Sequence, residues 1–252
     1  MTSYEKLDLR YVGTIGSGTF GRVDLAWSEP SKQHYAVKKF SIHDVRGDVT
    51  LFETIMVVQE GHTEYVNRER QILRCLDNPF IVKLCINSHL RVCTQMDKFN
   101  LFLVTEFVEG GELRDYLGDM SEEDLYAAVR FYSMEIICAL RHIHPKNIVL
   151  RDLKPENLLL SRDGHVKISD FGLAKVLKGK TYTICGTPEF MAPEILSKKG
   201  YGMDVDWWSL GILLFELITG RTPFSGDTQE ETFEAIRKGD LRFPDGFHAE
   251  AR

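Results

Sequence analysis

Long apolar runs are scarce in this chain. The longest near its end, LGILLFELI at 210–218, is broken by Glu216 and falls far short of the roughly 20 residues that cross a bilayer. The opening residues MTSYEKLDLR hold no apolar segment of a secretory leader, and Thr2 in place of Gly excludes N-myristoylation if Met1 is the true start. A basic surplus is missing too. Lys and Arg number 31 against 37 Asp and Glu, a net charge of −6, which argues against nucleic acid as the main partner while leaving room for a local basic patch. The five cysteines, Cys75, Cys85, Cys93, Cys138 and Cys185, include no C-x-x-C pair. Such an odd, scattered set reads as reduced thiols and points to the cytoplasm, with access to the nucleus left open. Neither an internal repeat nor a low-complexity tract is present. What remains is an ordinary globular composition, 43% hydrophobic and 27% charged, in 252 residues. That is enough for one large domain or two lobes with a real core.

The stretch around which the rest is organised is 148–172, IVLRDLKPENLLLSRDGHVKISDFG. Two apolar runs flank a polar segment that apolar periodicity does not explain. Asp152, Lys154 and Asn157 fall within six residues, and Asp170 follows a second apolar run, VKI. Acid, base and amide groups this close, held between short strands, suit a site that handles a metal and a phosphate. For either half alone, a polar turn between two strands is the alternative.

Residues 10–27 read as strand, glycine turn and strand, with Gly16, Gly18 and Gly21 spaced as G-x-G-x-x-G and Val23 two residues on. Glycine admits close backbone approach, so peptide N–H groups can face phosphate oxygens. In a Rossmann turn a helix would follow; here RVDLAW alternates like a strand. The segment is therefore a hairpin lid over a nucleotide or a plain hairpin. In the next strand, HYAVKKF at 34–40, Ala36 and Lys38 share one face and Val37 and Lys39 the other. A small Ala beside a base and a Lys two residues on toward phosphates make sense together, which selects Lys38 as the phosphate lysine and leaves Lys39 solvated. Residues 41–63 contain an apolar run, LFETIMVV, without a clear turn signal, and fit an extra helix, an extra strand or an insertion. A helix is expected over 65–75, and buried strands over 80–86 and 101–107, joined by a segment longer than a tight hairpin needs. Gly110 and Gly111 mark a link. Ser121 followed by acids caps a long helix through Ile143, on and after which His142 and His144 read as structural. Prolines in 173–196 break regular structure, so a loop is expected there. A second buried helix follows with Asp206 at its start, then turns at PFSG and RFPDG.

Taken in order, the glycine loop, the lysine strand, the helix bearing Glu69, LRDLKPEN, DFG, APE and the DWWS helix resemble the eukaryotic protein kinases over about residues 11–225. TYTICGTPEF around Thr183 and EFVEGGEL at 106–113 look most like the cAMP/cGMP-dependent branch of the AGC serine/threonine family. The chain departs from the family at Leu150, where His or Tyr is usual. The resemblance implies an α+β, bilobal protein-kinase fold. Its small lobe (11–105) would hold an antiparallel five-stranded sheet and one main helix, followed by a hinge (106–111) and a mainly helical large lobe (112–252). Residues 11–252 would then be a kinase domain incomplete at its C-terminal end, because the family's last helices and the branch's C-terminal tail would lie beyond Arg252.

The activity that the resemblance implies is ATP-dependent phosphorylation of Ser/Thr hydroxyls on proteins, with ATP and two Mg²⁺ ions, or Mn²⁺ in their place. Ile15, Gly16, Ser17, Gly18, Thr19, Phe20, Gly21 and Val23 would cover the nucleotide. Ala36 would lie beside the adenine, Thr105 would guard a back pocket, and Glu106 and Val108 would bond the adenine edge through the backbone. Glu112 and Leu159 complete the implied pocket. Lys38, fixed by Glu69, would hold phosphates, while Asp170 and Asn157 would hold the metal ions. Asp152 would orient the acceptor hydroxyl and take its proton, Lys154 would lie near the γ-phosphate, Thr187 would steady the loop and Asp206 would brace its backbone. Thr183 is the implied activating phosphosite, received by Arg151 and Lys175 after action of an upstream kinase or autophosphorylation. Tyr65 stands where the branch often adds a His. Glu112, Glu156 and Glu216 would read basic residues before the acceptor, and Ile184 and Met191 would line an apolar pocket for the residue after it. Leu73, Leu84, Leu150 and Phe171 match the stack that joins the lobes of active kinases, and Glu194 would be buried without its usual arginine. The implied partners are a basic protein substrate and a regulatory subunit acting in trans. The alternative is a nucleotide-binding pseudokinase or scaffold with little turnover.

Overall fold

The computed structural model describes residues 9–18, 21–41, 62–85, 94–96, 100–244 and 247. Thr19, Phe20, most of the 41–63 segment and Cys93 lie outside the described residues, as does the side chain of Tyr65. The chain divides into two compact units, 1–109 and 110–252.

The first unit is built on a five-stranded antiparallel sheet in the order β1-β2-β3-β5-β4. Its strands are β1 (Arg10–Gly18), β2 (Gly21–Ser28), β3 (Gln33–Ser41), β4 (Thr94–Met96) and β5 (Asn100–Glu106). Alternation sends Ala26, Tyr35, Val37, Phe102 and Val104 to one face, where they form a core with Leu9 and Cys85. The helix α1 (His62–Cys75) buries Val66, Glu69, Ile72 and Leu73, spaced for a single helical face. The regular strand expected over 80–86 does not form among the described residues of that segment. Leu84 makes an isolated bridge to Thr105, and Cys85 N–H and Glu106 N–H bond Val104 and Lys83 carbonyls. The free edge of β5 is shared: β4, from the segment expected as a connection, pairs with 101–103, which leaves 83–85 only the last residues of the strand.

The second unit carries α2 (Leu113–Leu117), α3 (Glu122–Ile143), α4 (Pro193–Leu196), α5 (Val205–Thr219) and α6 (Gln229–Lys238). Ser121 caps α3 by accepting from Asp124 N–H, with three acids in the first turn to match the helix dipole. Val129, Tyr132, Ile136, Ala139, Leu140 and Ile143 form its buried stripe. In α5 eight residues are buried, and Gly220, at φ 74°, ends the helix in the left-handed conformation. Two small antiparallel pairs complete the unit: β6 (Ile148–Val149) with β9 (Lys175–Val176), and β7 (Leu158–Leu160) with β8 (Val166–Ile168). The loop expected over 173–196 therefore contains β9, a 3-10 turn at Pro188–Phe190 and α4. Pro193 starts α4 rather than breaking it, because the first helical position has no N–H bond to lose. Among the described residues no helix is long and apolar enough to cross a membrane.

Candidate active site

In the first unit, register brings the expected nucleotide residues into rows. Val23 is opposite Gly16 and Lys38, and Ala36 is opposite Leu25 and Thr105. Directly opposed residues share a face, so Val23, Ala36, Lys38 and Thr105 lie on one side of the sheet, away from the Tyr35–Val37 core face. The strands run past the first glycines, with Ser17 and Gly18 still paired to Arg22 and Gly21. Gly21 is obligatory: its φ is 134°, and a Cβ would come within 2.0 Å of Lys39 carbonyl oxygen. Asp24, fully buried, accepts from Thr14 Oγ1 at 2.9 Å and from Arg22 Nη2 at 2.9 Å, which ties the two strands of the glycine hairpin together. Sequence reading missed this staple, because an alternating strand gives no sign that its acid points inward.

Lys38 Nζ lies 3.1 Å from Glu69 Oε1 and 3.4 Å from Oε2. The carboxylate is 2% exposed and the ammonium side chain 17%. The ion pair that the kinase resemblance implied, with the lysine chosen by strand alternation, is formed within this unit. Lys39, expected as solvated, is half-buried. Glu106 binds Lys83 N–H through Oε1 at 2.8 Å, Val108 is buried and Ile15 is exposed.

In the second unit, the polar segment after β6 is held from below by Asp206. Its Oδ2 and Oδ1 accept Leu150 N–H and Arg151 N–H, each at 2.9 Å, and Oδ2 lies 2.9 Å from His144 Nε2. His144 is therefore structural, as its place after the helix suggested. Arg151 takes a left-handed φ of 73°, and Gly186, at φ 109°, packs so closely that a Cβ would lie 2.5 Å from Arg151 carbonyl oxygen. This contact sets the segment bearing Thr187 against the loop bearing Asp152.

The result is a closed polar cluster. Asp152 Oδ1 accepts from Thr187 N–H at 3.0 Å and Thr187 Oγ1 at 2.8 Å. Lys154 Nζ is 3.0 Å from Asp152 Oδ2 and 3.0 Å from Thr187 Oγ1. Asn157 Nδ2 donates to Asp152 carbonyl oxygen at 2.8 Å and to its Oδ2 at 3.3 Å. Ser169 N–H bonds Asn157 carbonyl oxygen at 2.9 Å, placing the Asp170 turn beside this cluster. Asp170 Oδ1 caps Gly172 N–H at 2.8 Å. Asp170 and Asn157 so lie at the same end of the β7–β8 hairpin, whose register pairs Leu158 with Ile168. A carboxylate and an amide oxygen suit a hard cation such as Mg²⁺. Among the described residues no three acids, histidines or cysteines form a metal cage, so such an ion would need phosphate or water to complete its shell.

The other expected residues fall nearby within the same unit. Glu112 bridges Leu159, and Gly110 and Gly111 bond Leu160 through the backbone. Arg151 Nε donates to Leu173 carbonyl oxygen at 2.7 Å, and Lys175 Nζ to Thr181 Oγ1 at 3.4 Å. Tyr201 donates to Thr183 carbonyl oxygen, and burial pushes its hydroxyl pKa up. Ile184 is half-buried and Met191 buried. Glu194 is half-buried rather than buried. Leu150 and Phe171 are buried in this unit, and in the first unit Leu73 is buried and Leu84 half-buried. Burial, with nearby acids, raises the pKa of Glu112 and of Glu216. Arg114, which sequence reading passed over, pairs with Glu156 Oε1 at 3.1 Å and Glu216 Oε1 at 3.4 Å.

Residues 9–246 match the protein kinase domain family. The chain is 43% identical over 250 residues to a "cAMP-dependent protein kinase, catalytic subunit-like" of Caenorhabditis briggsae, covering 99% of this chain and 60% of the relative. It is 42% identical over 241 residues to the "cAMP-dependent protein kinase catalytic subunit PRKX" of Homo sapiens, covering 96% and 62%. To "cAMP-dependent protein kinase type 3" of Saccharomyces cerevisiae it is 38% identical over 249 residues, covering 99% and 58%. The chain thus spans about 60% of the length of these curated relatives.

Proposed function

Because the chain belongs to the protein kinase family, we propose that it transfers the γ-phosphoryl group of ATP to Ser/Thr hydroxyls of proteins, at sites preceded by basic residues. The observation that carries this reading is the Asp152–Lys154–Asn157–Thr187 cluster. Phosphoryl transfer asks the protein mainly for positioning and charge neutralisation. The acceptor hydroxyl oxygen bonds to the γ-phosphorus, its proton passes to the Asp152 carboxylate, and the bond from γ-phosphorus to the β–γ bridging oxygen breaks to release ADP. Thr187 and Asn157 fix the orientation of Asp152 before substrate arrives. Lys154 offsets negative charge on the transferred group. Lys38, held by Glu69, takes nucleotide phosphates, the glycine hairpin covers them, and residues 106–111 act as the hinge that binds adenine. Asp170 and Asn157 are the residues that would hold Mg²⁺, which supplies charge neutralisation at the phosphate oxygens.

Thr183 is the regulatory phosphosite of this reading, with Arg151 and Lys175 receiving the phosphate after an upstream kinase or the chain itself adds it. Glu112, Glu156 and Glu216 read basic residues, and Ile184 and Met191 take an apolar residue after the acceptor. Relatives named as catalytic subunits support a regulatory partner in trans. Thiols at Cys75, Cys85, Cys138 and Cys185, which form no disulfide among the described residues, support a cytoplasmic setting.

The test is transfer of labelled phosphate from Mg-ATP to a serine peptide with preceding arginines. Asp152→Asn is expected to lower turnover roughly 10²- to 10⁴-fold, the range for a lost general base. Equal turnover in the variant removes Asp152 from that role. Nucleotide binding without any transfer by the parent chain points to a scaffold instead.

A further inference from the structure

Two of the three glutamates proposed to read basic substrates already hold an arginine of this chain. Arg114 is the second residue of α2, a short helix pinned by Leu113 and Leu117, which are 0% and 4% exposed. Its Nη2 reaches Glu156 Oε1 at 3.1 Å and Glu216 Oε1 at 3.4 Å, acids 42 and 102 positions further along the chain. Glu216 is the deeper of the two, with its side chain 15% exposed against 50% for Glu156. Its second oxygen, Oε2, is buried and has no hydrogen-bond donor among the described residues. One guanidinium therefore bridges two carboxylates and leaves a buried acceptor beside them unfilled.

We propose that Arg114 is an internal occupant of the basic-residue site, which competes with substrate arginine for Glu156 and Glu216 and so tunes the selectivity of the chain for basic sites. This rests on the reading of those glutamates given above. A guanidinium offers five N–H donors in a planar fork, so Arg114 satisfies these carboxylates in the way a substrate arginine would. An incoming arginine must displace it or settle next to a like charge. The barrier to displacement is modest, because Arg114 is 45% exposed and exposed ion pairs are weak. The device is a graded competitor, not a block.

The test compares two serine peptides that differ only in one preceding residue, arginine or glutamine. In Arg114→Ala the ratio of kcat/KM for the arginine peptide over the glutamine peptide is expected to rise about two- to five-fold, the range set by an exposed ion pair. Arg114→Lys, which keeps the charge but not the fork, should fall between. A general structural effect would move both peptides alike and leave the ratio fixed. An unchanged or lower ratio in Arg114→Ala, with the parent's preference for arginine lost in Glu156→Gln, overturns the proposal alone. A parent chain with no preference for arginine, and no response to Glu156→Gln, overturns the reading of the glutamates and the proposal with it. Peptide affinity by fluorescence anisotropy gives the same ratio without turnover, and the same outcomes decide it.

Discussion

Lys38 and Glu69 show how much one residue pair can decide. Glu69 is nearly sealed from water at 2% exposure, and Lys38 at 3.1 Å offsets its charge. Removing one partner of a buried pair leaves the other uncompensated, a loss of about 3–5 kcal/mol, whereas replacing both by apolar groups is often close to neutral. Lys38→Met is accordingly expected to lower unfolding free energy by about 3 kcal/mol, and the double variant Lys38→Met/Glu69→Leu to recover most of it. Urea titrations of the parent, Lys38→Met, Glu69→Leu and the double variant check this; a double variant as unstable as Lys38→Met would mean that the pair is not coupled. This pair was legible because strand alternation chose Lys38 over Lys39 and the resemblance to kinases supplied Glu69 as its partner. Arg114 was not legible. Its partners are 42 and 102 residues away, and no local pattern distinguishes an arginine that bridges distant acids from one in water. Asp24 escaped for a related reason: its partners Thr14 and Arg22 complete a staple only once the register of β1 on β2 is set.

Elements were legible in proportion to their length and pattern. The long helices α3 and α5 announce themselves by apolar periodicity, and Ser121 marks the start of α3. The three-residue β4 does not, since its existence depends on which part of the β5 edge is left open. Proline misled in the opposite direction at α4, where Pro193 initiates a turn of helix. Pairing between elements also carries a pH signature. Glu135, buried on α3, accepts from Val166 N–H at 2.9 Å at the start of β8 and lies 2.6 Å from His165 Nδ1. The Glu135 hydrogen bond, with its charge, raises the pKa of His165 above the ordinary 6.5. A histidine whose pKa rises on folding contributes stability that is fully present below the unfolded value and is lost as pH climbs through the folded one. In Glu135→Gln the His165 titration followed by NMR is expected to fall toward the ordinary value. The stability gap between parent and variant should be widest at mildly acid pH and narrow as pH rises. A gap that widens with pH would show that His165 does not titrate against Glu135.

At the scale of the whole molecule, each of the two units contributes a different kind of chemistry. Residues 1–109 supply a lysine fixed by a buried acid and a glycine hairpin, while 110–252 supply the Asp152 cluster and the Asp170 turn. Neither set alone accounts for the proposed phosphoryl transfer, which needs phosphate anchoring, charge neutralisation and a base together. Nucleotide should therefore stabilise the chain by mass action, by about 2.7 kcal/mol at 100 times the dissociation constant. For a chain of this size that is a rise in Tm of about 5–10 °C. Part of the rise is expected to depend on magnesium, because two oxygen donors from the protein leave the phosphates to complete the ion's shell. Adding EDTA to the ATP-bound chain should then lower Tm, and Asp170→Ala should lose that metal-dependent share while keeping the share due to nucleotide alone. Differential scanning fluorimetry with ATP, Mg-ATP and ATP plus EDTA separates the two. A shift identical with and without magnesium would mean that Asp170 and Asn157 do not hold the ion, and the metal chemistry proposed for the Asp170 turn would have to be withdrawn.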